Sequence, residues 1–187
     1  MDQKKYPRFM QLPAFRLATL AILIAVTALF TYMIRIPIAP TRGYINFGDV
    51  SIFFSALIFG PFTAFITGGT GTALADLISG YSQWAPFTFF AHGLQGLAIG
   101  LVVKAGRRRD REVPSELGFF TLLSAFLAGT ILMAGIYFLT GGIMVGFAAA
   151  STEIPGNILQ NVAGVLVGAP LAMAVRKAYP PIRFYRW

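Results

Sequence analysis

The sequence predicts an all-α, polytopic membrane protein of six transmembrane helices with both termini in the cytoplasm, on three observations. Of its 187 residues, 56% are hydrophobic and only 12% charged, where a soluble domain carries about 25% charged residues. Uncharged runs suited to a hydrocarbon core, which takes roughly 20 helical residues to cross, recur along the whole chain. Thirteen of the fifteen Lys and Arg residues fall in three blocks that flank those runs. The length fits a single domain, 1–187.

The first helix is expected at 14–36, around the uncharged run Leu17 to Ile34, which Arg16 and Arg35 bracket. Pro37 and Pro40 end it, since proline has no amide to donate and clashes with the preceding turn. A second uncharged run lies between Asp49 and Asp76, and Gly60-Pro61 breaks it into helices at 49–59 and 62–79. A loop from Gly80 to Pro86 leads to the fourth helix, 87–104, and a charged loop from Gly106 to Pro114 to the fifth, 117–139. A Gly-rich connection, Thr140 to Ser151, precedes the sixth, 152–177.

The two short helices could instead form one kinked span, for five in total. Charge placement decides. Lys4, Lys5, Arg8 and Arg16 precede or open helix 1; Lys104, Arg107, Arg108, Arg109 and Arg111 follow helix 4; Arg176, Lys177, Arg183 and Arg186 end the chain. The positive-inside rule asks for all three blocks on the cytoplasmic side. Six spans allow this, whereas five would set the first block opposite the other two. Tyr6, Tyr179, Tyr185 and Trp187 suit an aromatic belt on that same side.

Several chemistries are excluded. With no cysteine there are no disulfides, thiolate metal sites or cysteine nucleophiles. The net charge of +8 would suit nucleic acid only if it formed one basic face, and it flanks apolar segments instead. The first apolar run has no small-residue cleavage site, so no cleaved leader is expected. No phosphate loop, metalloprotease helix or nucleophile elbow occurs, and one histidine makes a zinc site improbable. No enzyme activity, metal or cofactor is expected.

The remaining polar residues gather towards the outer face in this topology. Arg35, Arg42, Tyr44 and Asn46 belong to the first outer connection, Asp49 starts helix 2, and Asp76 lies near the end of helix 3. His92 and Gln95 share a face of helix 4, and Glu153, Asn157 and Gln160 share a face of helix 6. A charge at bilayer depth costs about 2.5–3.5 kcal/mol on insertion scales, so each needs a partner, water or a ligand. Tyr81, Trp84, Phe87 and Phe89 surround the 3–4 turn. Aromatic walls with a few convergent polar groups describe a small-molecule site. Simpler roles exist: Asp49 could cap helix 2, Asp76 could pair with Arg35 or Arg42, and Trp84 and Tyr81 could anchor the interface. Ala14, Ala18, Ala21, Ala25 and Ala28 form a small-residue stripe on helix 1, fit for close packing within the bundle or for docking a second membrane protein.

A run of motifs carries a family resemblance. Gly43-Tyr-Ile-Asn-Phe-Gly-Asp49 leads to Phe59-Gly-Pro-Phe62, followed by Ala73-Leu-Ala-Asp76, Ser79-Gly-Tyr81, Ala85-Pro86 and His92-Gly-Leu-Gln-Gly96. The chain resembles the membrane-embedded substrate-binding (S) components of energy-coupling factor (ECF) vitamin transporters, in the branch with riboflavin, hydroxymethylpyrimidine and pyridoxine members. The resemblance implies a multi-pass protein of the prokaryotic plasma membrane that captures a vitamin from outside. It implies a lid at Ala39 to Gly48 and a pocket at the outer ends of helices 4 to 6. It also implies docking on a transmembrane coupling subunit, and through it two cytoplasmic ATPases, by the Ala14/Ala18 and Ala21/Ala25 pairs. His92 and Gln95 stand where related sequences often have Lys and Glu. The alternatives are a stand-alone secondary transporter or channel for a small organic solute, or an intramembrane enzyme using His92 with Asp76 or Glu153.

Overall fold

A computed structural model describes residues 10, 12–109 and 118–184. The flanking residues Lys4, Lys5, Tyr6, Arg8, Arg111, Tyr185, Arg186 and Trp187 lie outside them. The elements are α1 (Pro13–Met33), β1 (Arg35–Ile38), β2 (Gly43–Asn46), α2 (Gly48–Phe59), α3 (Pro61–Ser79), α4 (Ala85–Arg109), α5 (Phe119–Val145), a short α6 (Phe147–Ser151), α7 (Ile154–Ala163) and α8 (Ala169–Ala178). A π-helical turn, Gly164–Gly168, joins α7 and α8 into one column, and a 3-10 turn, Pro180–Phe184, closes the described chain. Among the described residues four segments are long and apolar enough to cross a membrane: Pro13–Met33, Ala85–Gly106, Phe119–Val145 and Phe147–Ala178.

The break at Gly60 separates α2 from α3 and reverses the chain. Gly60 takes a positive φ of 93°, open to glycine without strain, and Pro61 starts α3 where its missing amide loses nothing. Ile52 then packs against the Gly68 position and Gly48 lies beside Thr72, so the two helices run antiparallel. This makes six columns, α1, α2, α3, α4, α5 and α7–α8, alternating in direction with both ends on one face. The basic flanks put that face in the cytoplasm. With 12 residues, α2 spans only about 18 Å at 1.5 Å per residue. It is nearly all buried, among α1, α3, α4, α7 and α8, so lipid does not set its length.

Glycines hold the columns close. On α4, Gly93, Gly96 and Gly100 face Phe65, Ala64 and Pro61 of α3, leaving no room for a methyl group. Close backbone approach is the main attraction between helices where lipid is as apolar as the side chains. The apolar core, Ile52, Phe53, Leu57, Ala64, Ile99, Val103, Ala125, Ala169 and Ala172, sits in the inner half of the bundle. Phe62, Phe119, Phe120, Ile131 and Ile143 point outward, where lipid covers them. At the cytoplasmic end the Arg176 guanidinium donates to the carbonyl of Leu57, in the last turn of α2, where a cation suits the helix dipole.

The structure adds three features to the expected pattern. The first outer connection is a two-stranded antiparallel hairpin, pairing Arg35 with Asn46, Ile36 with Ile45, Pro37 with Tyr44 and Ile38 with Gly43. Its proline-bearing strand is at an edge, as proline requires. Helix α5 continues through Gly141 and Gly142, which abut Ala150 and the Phe147 ring, and the chain then turns at Gly146 into α6. The π turn lets Gly164 and Gly168 approach Asp49, Val50 and Phe53 of α2. Pro170, which has no amide to give to the preceding turn, follows directly.

Candidate functional site

The outer half of the bundle is polar in its interior. A small, partly open cavity of about 30 Å³ lies beneath the hairpin. It is lined by Gly43, Tyr44 and Asn46 of the hairpin, Asp76 of α3, Trp84 and Thr88 around the start of α4, Tyr137 of α5, and Glu153, Asn157 and Gln160 at the head of the last column. Its lining thus combines aromatic rings with carboxyl and amide groups.

Helix geometry explains the amide wall. Asn157 and Gln160 share the buried face of α7, whose other face carries exposed Ile158 and Leu159. Asn161 lies on the buried face as well but points away from the cavity. On the other side, the Tyr137 hydroxyl donates to Thr88 Oγ1 at 3.0 Å, and the Trp84 and Tyr137 rings lie 6.3 Å apart between centroids.

The hairpin is fastened down over this space at two places. The Tyr44 hydroxyl donates to Asp76 Oδ1 at 2.5 Å. The Asn46 backbone amide donates to Gln160 Oε1. The Glu153 carboxyl group lies against the hairpin at Gly43, which has no space for a side chain there. Asn46 also fixes where α2 begins, because its Oδ1 accepts from the Gly48 amide at 2.8 Å. The Gly48 amide at the α2 start is thus satisfied by Asn46, and Asp49 faces His92 instead. Burial first, and then the neighbouring Asp76, push the Tyr44 phenol above its usual pKa, so it keeps its proton and remains a donor.

Behind the cavity lies a second polar group. Asp49, His92, Gln95 and Asn161 are fully buried. His92 Nδ1 lies 3.1 Å from Asp49 Oδ1 and 2.8 Å from Gln95 Oε1. Facing two acceptors, this nitrogen carries the proton. Gln95 Nε2 donates to Asn161 Oδ1 at 2.8 Å, and Asn161 Nδ2 donates to the Asn157 carbonyl at 3.0 Å. The chain of contacts ties α2, α4 and α7 together and reaches the cavity wall at Asn157. The His92 ring also meets the Tyr137 ring edge-on, 5.7 Å between centroids.

Of the residues singled out from sequence, Tyr44, Asn46, Asp76, Trp84, Glu153, Asn157 and Gln160 are at the cavity. Asp49, His92 and Gln95 form the network behind it. Tyr81 stands at the mouth, its ring edge-on to Tyr44 with centroids 4.9 Å apart. Arg42 is exposed in the hairpin turn at φ 53°. Arg35 lies over the Tyr32 ring, 4.5 Å from its centroid, while Asp76 takes Tyr44. Ala14, Ala18, Ala21 and Ala25 are all exposed on α1. Thr88, Tyr137 and Gly43 were not singled out. Tyr137 had a usable signal, a phenol deep in an otherwise apolar span, since a buried hydroxyl needs a partner. Among the described residues no three His, Asp or Glu side chains converge as a metal-ligand set.

Comparison with known proteins agrees with this architecture. A family model described as the S component of the ECF-type riboflavin transporter matches residues 13–177. An uncharacterized protein of Pyrococcus woesei is 35% identical over 152 residues, covering 81% of this chain and 95% of that protein. The thiamine precursor transporter HmpT of Lactococcus lactis subsp. cremoris (strain MG1363) is 29% identical over 163 residues, 87% of this chain and 88% of HmpT. The solved S component of a bacterial ECF transporter superposes with a TM-score of 0.64 at 22% identity, over 89% of this chain and 98% of that one.

Proposed function

The chain belongs to the family of S components of ECF-type riboflavin transporters, and from that premise we propose that its cargo is held in the cavity beneath the hairpin, between the Trp84–Tyr137 wall and the amides of α7. It is a multi-pass membrane protein and the substrate-binding subunit for uptake of a small water-soluble vitamin or vitamin precursor, a transporter component and not a member of an enzyme class. Riboflavin is the cargo named for the family and a thiamine precursor the cargo named for HmpT. A hydroxymethylpyrimidine, riboflavin and a pyridoxine-like ring are the cargoes this reading admits here.

The observation that carries the reading is the hairpin fastened over a cavity lined by aromatic and hydrogen-bonding groups. A flat heteroaromatic ring finds stacking surface in Trp84 and Tyr137 and polar partners in Asp76, Asn157 and Gln160. Asp49, His92 and Gln95 act through Asn161 and Asn157, holding the α7 wall at its distance from α4. Tyr81 and Arg42 meet the cargo at entry, and Glu153 holds the hairpin turn. The exposed Ala14, Ala18, Ala21 and Ala25 face supplies a docking surface for a transmembrane coupling subunit, through which two cytoplasmic ATPases drive release. Binding needs no chemistry and no cofactor.

Mass spectrometry of small molecules that copurify with the protein, followed by calorimetric titration of the purified chain, tests this reading. A vitamin-like compound bound by the chain alone, with uptake requiring the coupling subunit and ATP, is the expected result. Uptake by the chain alone in liposomes under an ion gradient would overturn it in favour of a stand-alone carrier.

A further inference from the structure

Two buried polar atoms at the cavity have no hydrogen-bond partner, Asp76 Oδ2, an acceptor, and Asn157 Nδ2, a donor. Both side chains are more than nine-tenths buried, with relative exposures of 2% and 6%. A buried polar group left unpaired is unfavourable, so such atoms mark where a partner belongs. The other oxygen of Asp76 is already taken, and what takes it is the lid itself, through Tyr44. Among the described residues no Lys or Arg lines the cavity, while the carboxyl groups of Asp76 and Glu153 do. The lining therefore suits a ligand that donates hydrogen bonds, with two carboxyl groups at the cavity and the Arg35 guanidinium held outside it, over the Tyr32 and Tyr44 rings.

We propose that the Tyr44 hydroxyl acts as a tethered stand-in for the cargo, occupying in the empty protein the place on Asp76 that an amino-bearing heteroaromatic ring takes with its own N–H donors. This rests on the capture reading above and names the class of cargo. An exocyclic amino group offers two hydrogens, and a carboxyl group has two oxygens to receive donors. An adjacent ring nitrogen accepts from Asn157 Nδ2, satisfying the other orphan atom. A ring without the amino donor displaces Tyr44 and gives Asp76 nothing in return, leaving a buried carboxyl group unsatisfied. Discrimination arises in this way because a site made to hydrogen-bond a group rejects the analogue that lacks it. Tyr44 is then a specificity-determining residue as well as a fastening of the lid.

The test uses the full chain in detergent with Trp187→Phe, so that Trp84 alone reports on the cavity. The probes are a hydroxymethylpyrimidine bearing a ring amino group and the same ring with methyl in place of amino, with riboflavin and pyridoxine alongside. The amino ring is expected to bind at least about tenfold tighter than the methyl ring, the worth of one hydrogen bond to a carboxylate. Tyr44→Phe keeps the ring and removes the competing hydroxyl, so both rings should bind more tightly, by about tenfold. Asp76→Leu, which leaves no acceptor, should erase the preference between them. Equal binding of the two rings by the unaltered chain, or unchanged or weaker binding by Tyr44→Phe, would overturn the inference. Binding of riboflavin with neither pyrimidine bound would also overturn it and leave the capture reading standing. Binding of no vitamin probe at all would remove both.

Discussion

His92 Nδ1 sits 3.1 Å from Asp49 Oδ1 with both side chains fully buried, joining α4 to α2 in the middle of the polar half of the bundle. Removing either partner strands the other away from water. Asp49→Ala and His92→Ala should each lower stability by about 3 kcal/mol. The double variant should lose less than the two combined, with a coupling of about 2 kcal/mol. Denaturant unfolding in detergent measures all three, and strict additivity would show that the pair does not act as a unit.

The α3–α4 seam tolerates no added atoms. A methyl group at Gly96 would stand 2.7 Å from the Ala64 carbonyl oxygen, whereas one at Gly135 of α5 meets nothing within 4 Å. Gly96→Ala should destabilise by about 2 kcal/mol through overpacking. Gly135→Ala should stabilise by about 0.7 kcal/mol through its better helix propensity. The same unfolding assay separates the two by sign.

Gln160 holds the hairpin through the Asn46 amide. Gln160→Ala leaves that amide without its partner and loosens the lid over a bound ligand. Ligand dissociation should quicken by about tenfold, the equivalent of one lost hydrogen bond. Stopped-flow fluorescence of Trp84 reads the rate. No change would mean that the hairpin does not limit exit.

On α1, Ala21→Leu and Ala25→Leu enlarge a face that is exposed among the described residues. Ligand binding by the purified protein should be unaffected, while uptake with the coupling subunit and ATPases should fall by about tenfold or more, because the close helix approach is blocked. Joint loss of binding and uptake would point to misfolding and not to docking.

The spans and their orientation were legible because both follow from solvation. Charges avoid hydrocarbon and basic residues stay inside, so Arg16, Arg35 and the block from Lys104 to Arg111 mark boundaries without any knowledge of packing. The hairpin was not legible as a hairpin. Pro37 and Pro40 carried one message, the end of a helix, and the strand signal was only four residues long on each side. The pairing Ile36–Ile45 flanks a turn that holds Pro40, Thr41 and Arg42, so the pattern was present but too short to outweigh the prolines. Spacing placed Asn157 and Gln160 on one face. It could not say that His92 and Gln95 would turn to Asn161 and Asp49 and leave the cavity wall to Thr88 and Tyr137, because rotation of one helix about its axis depends on its neighbours. The π turn at Gly164–Gly168 had no signal except the glycines that permit it.

The fastening of the hairpin to two different helices has a kinetic consequence. Tyr44 is tied to α3 and Asn46 to α7, so a fluctuation that frees one knot leaves the other tied. Opening the lid of the empty protein then requires both ties to part together, whereas a movement that shifts α3 relative to α7 strains both knots in a single stroke. The lid is thus a lock with two keys, indifferent to local jostling and sensitive to the global shape of the bundle.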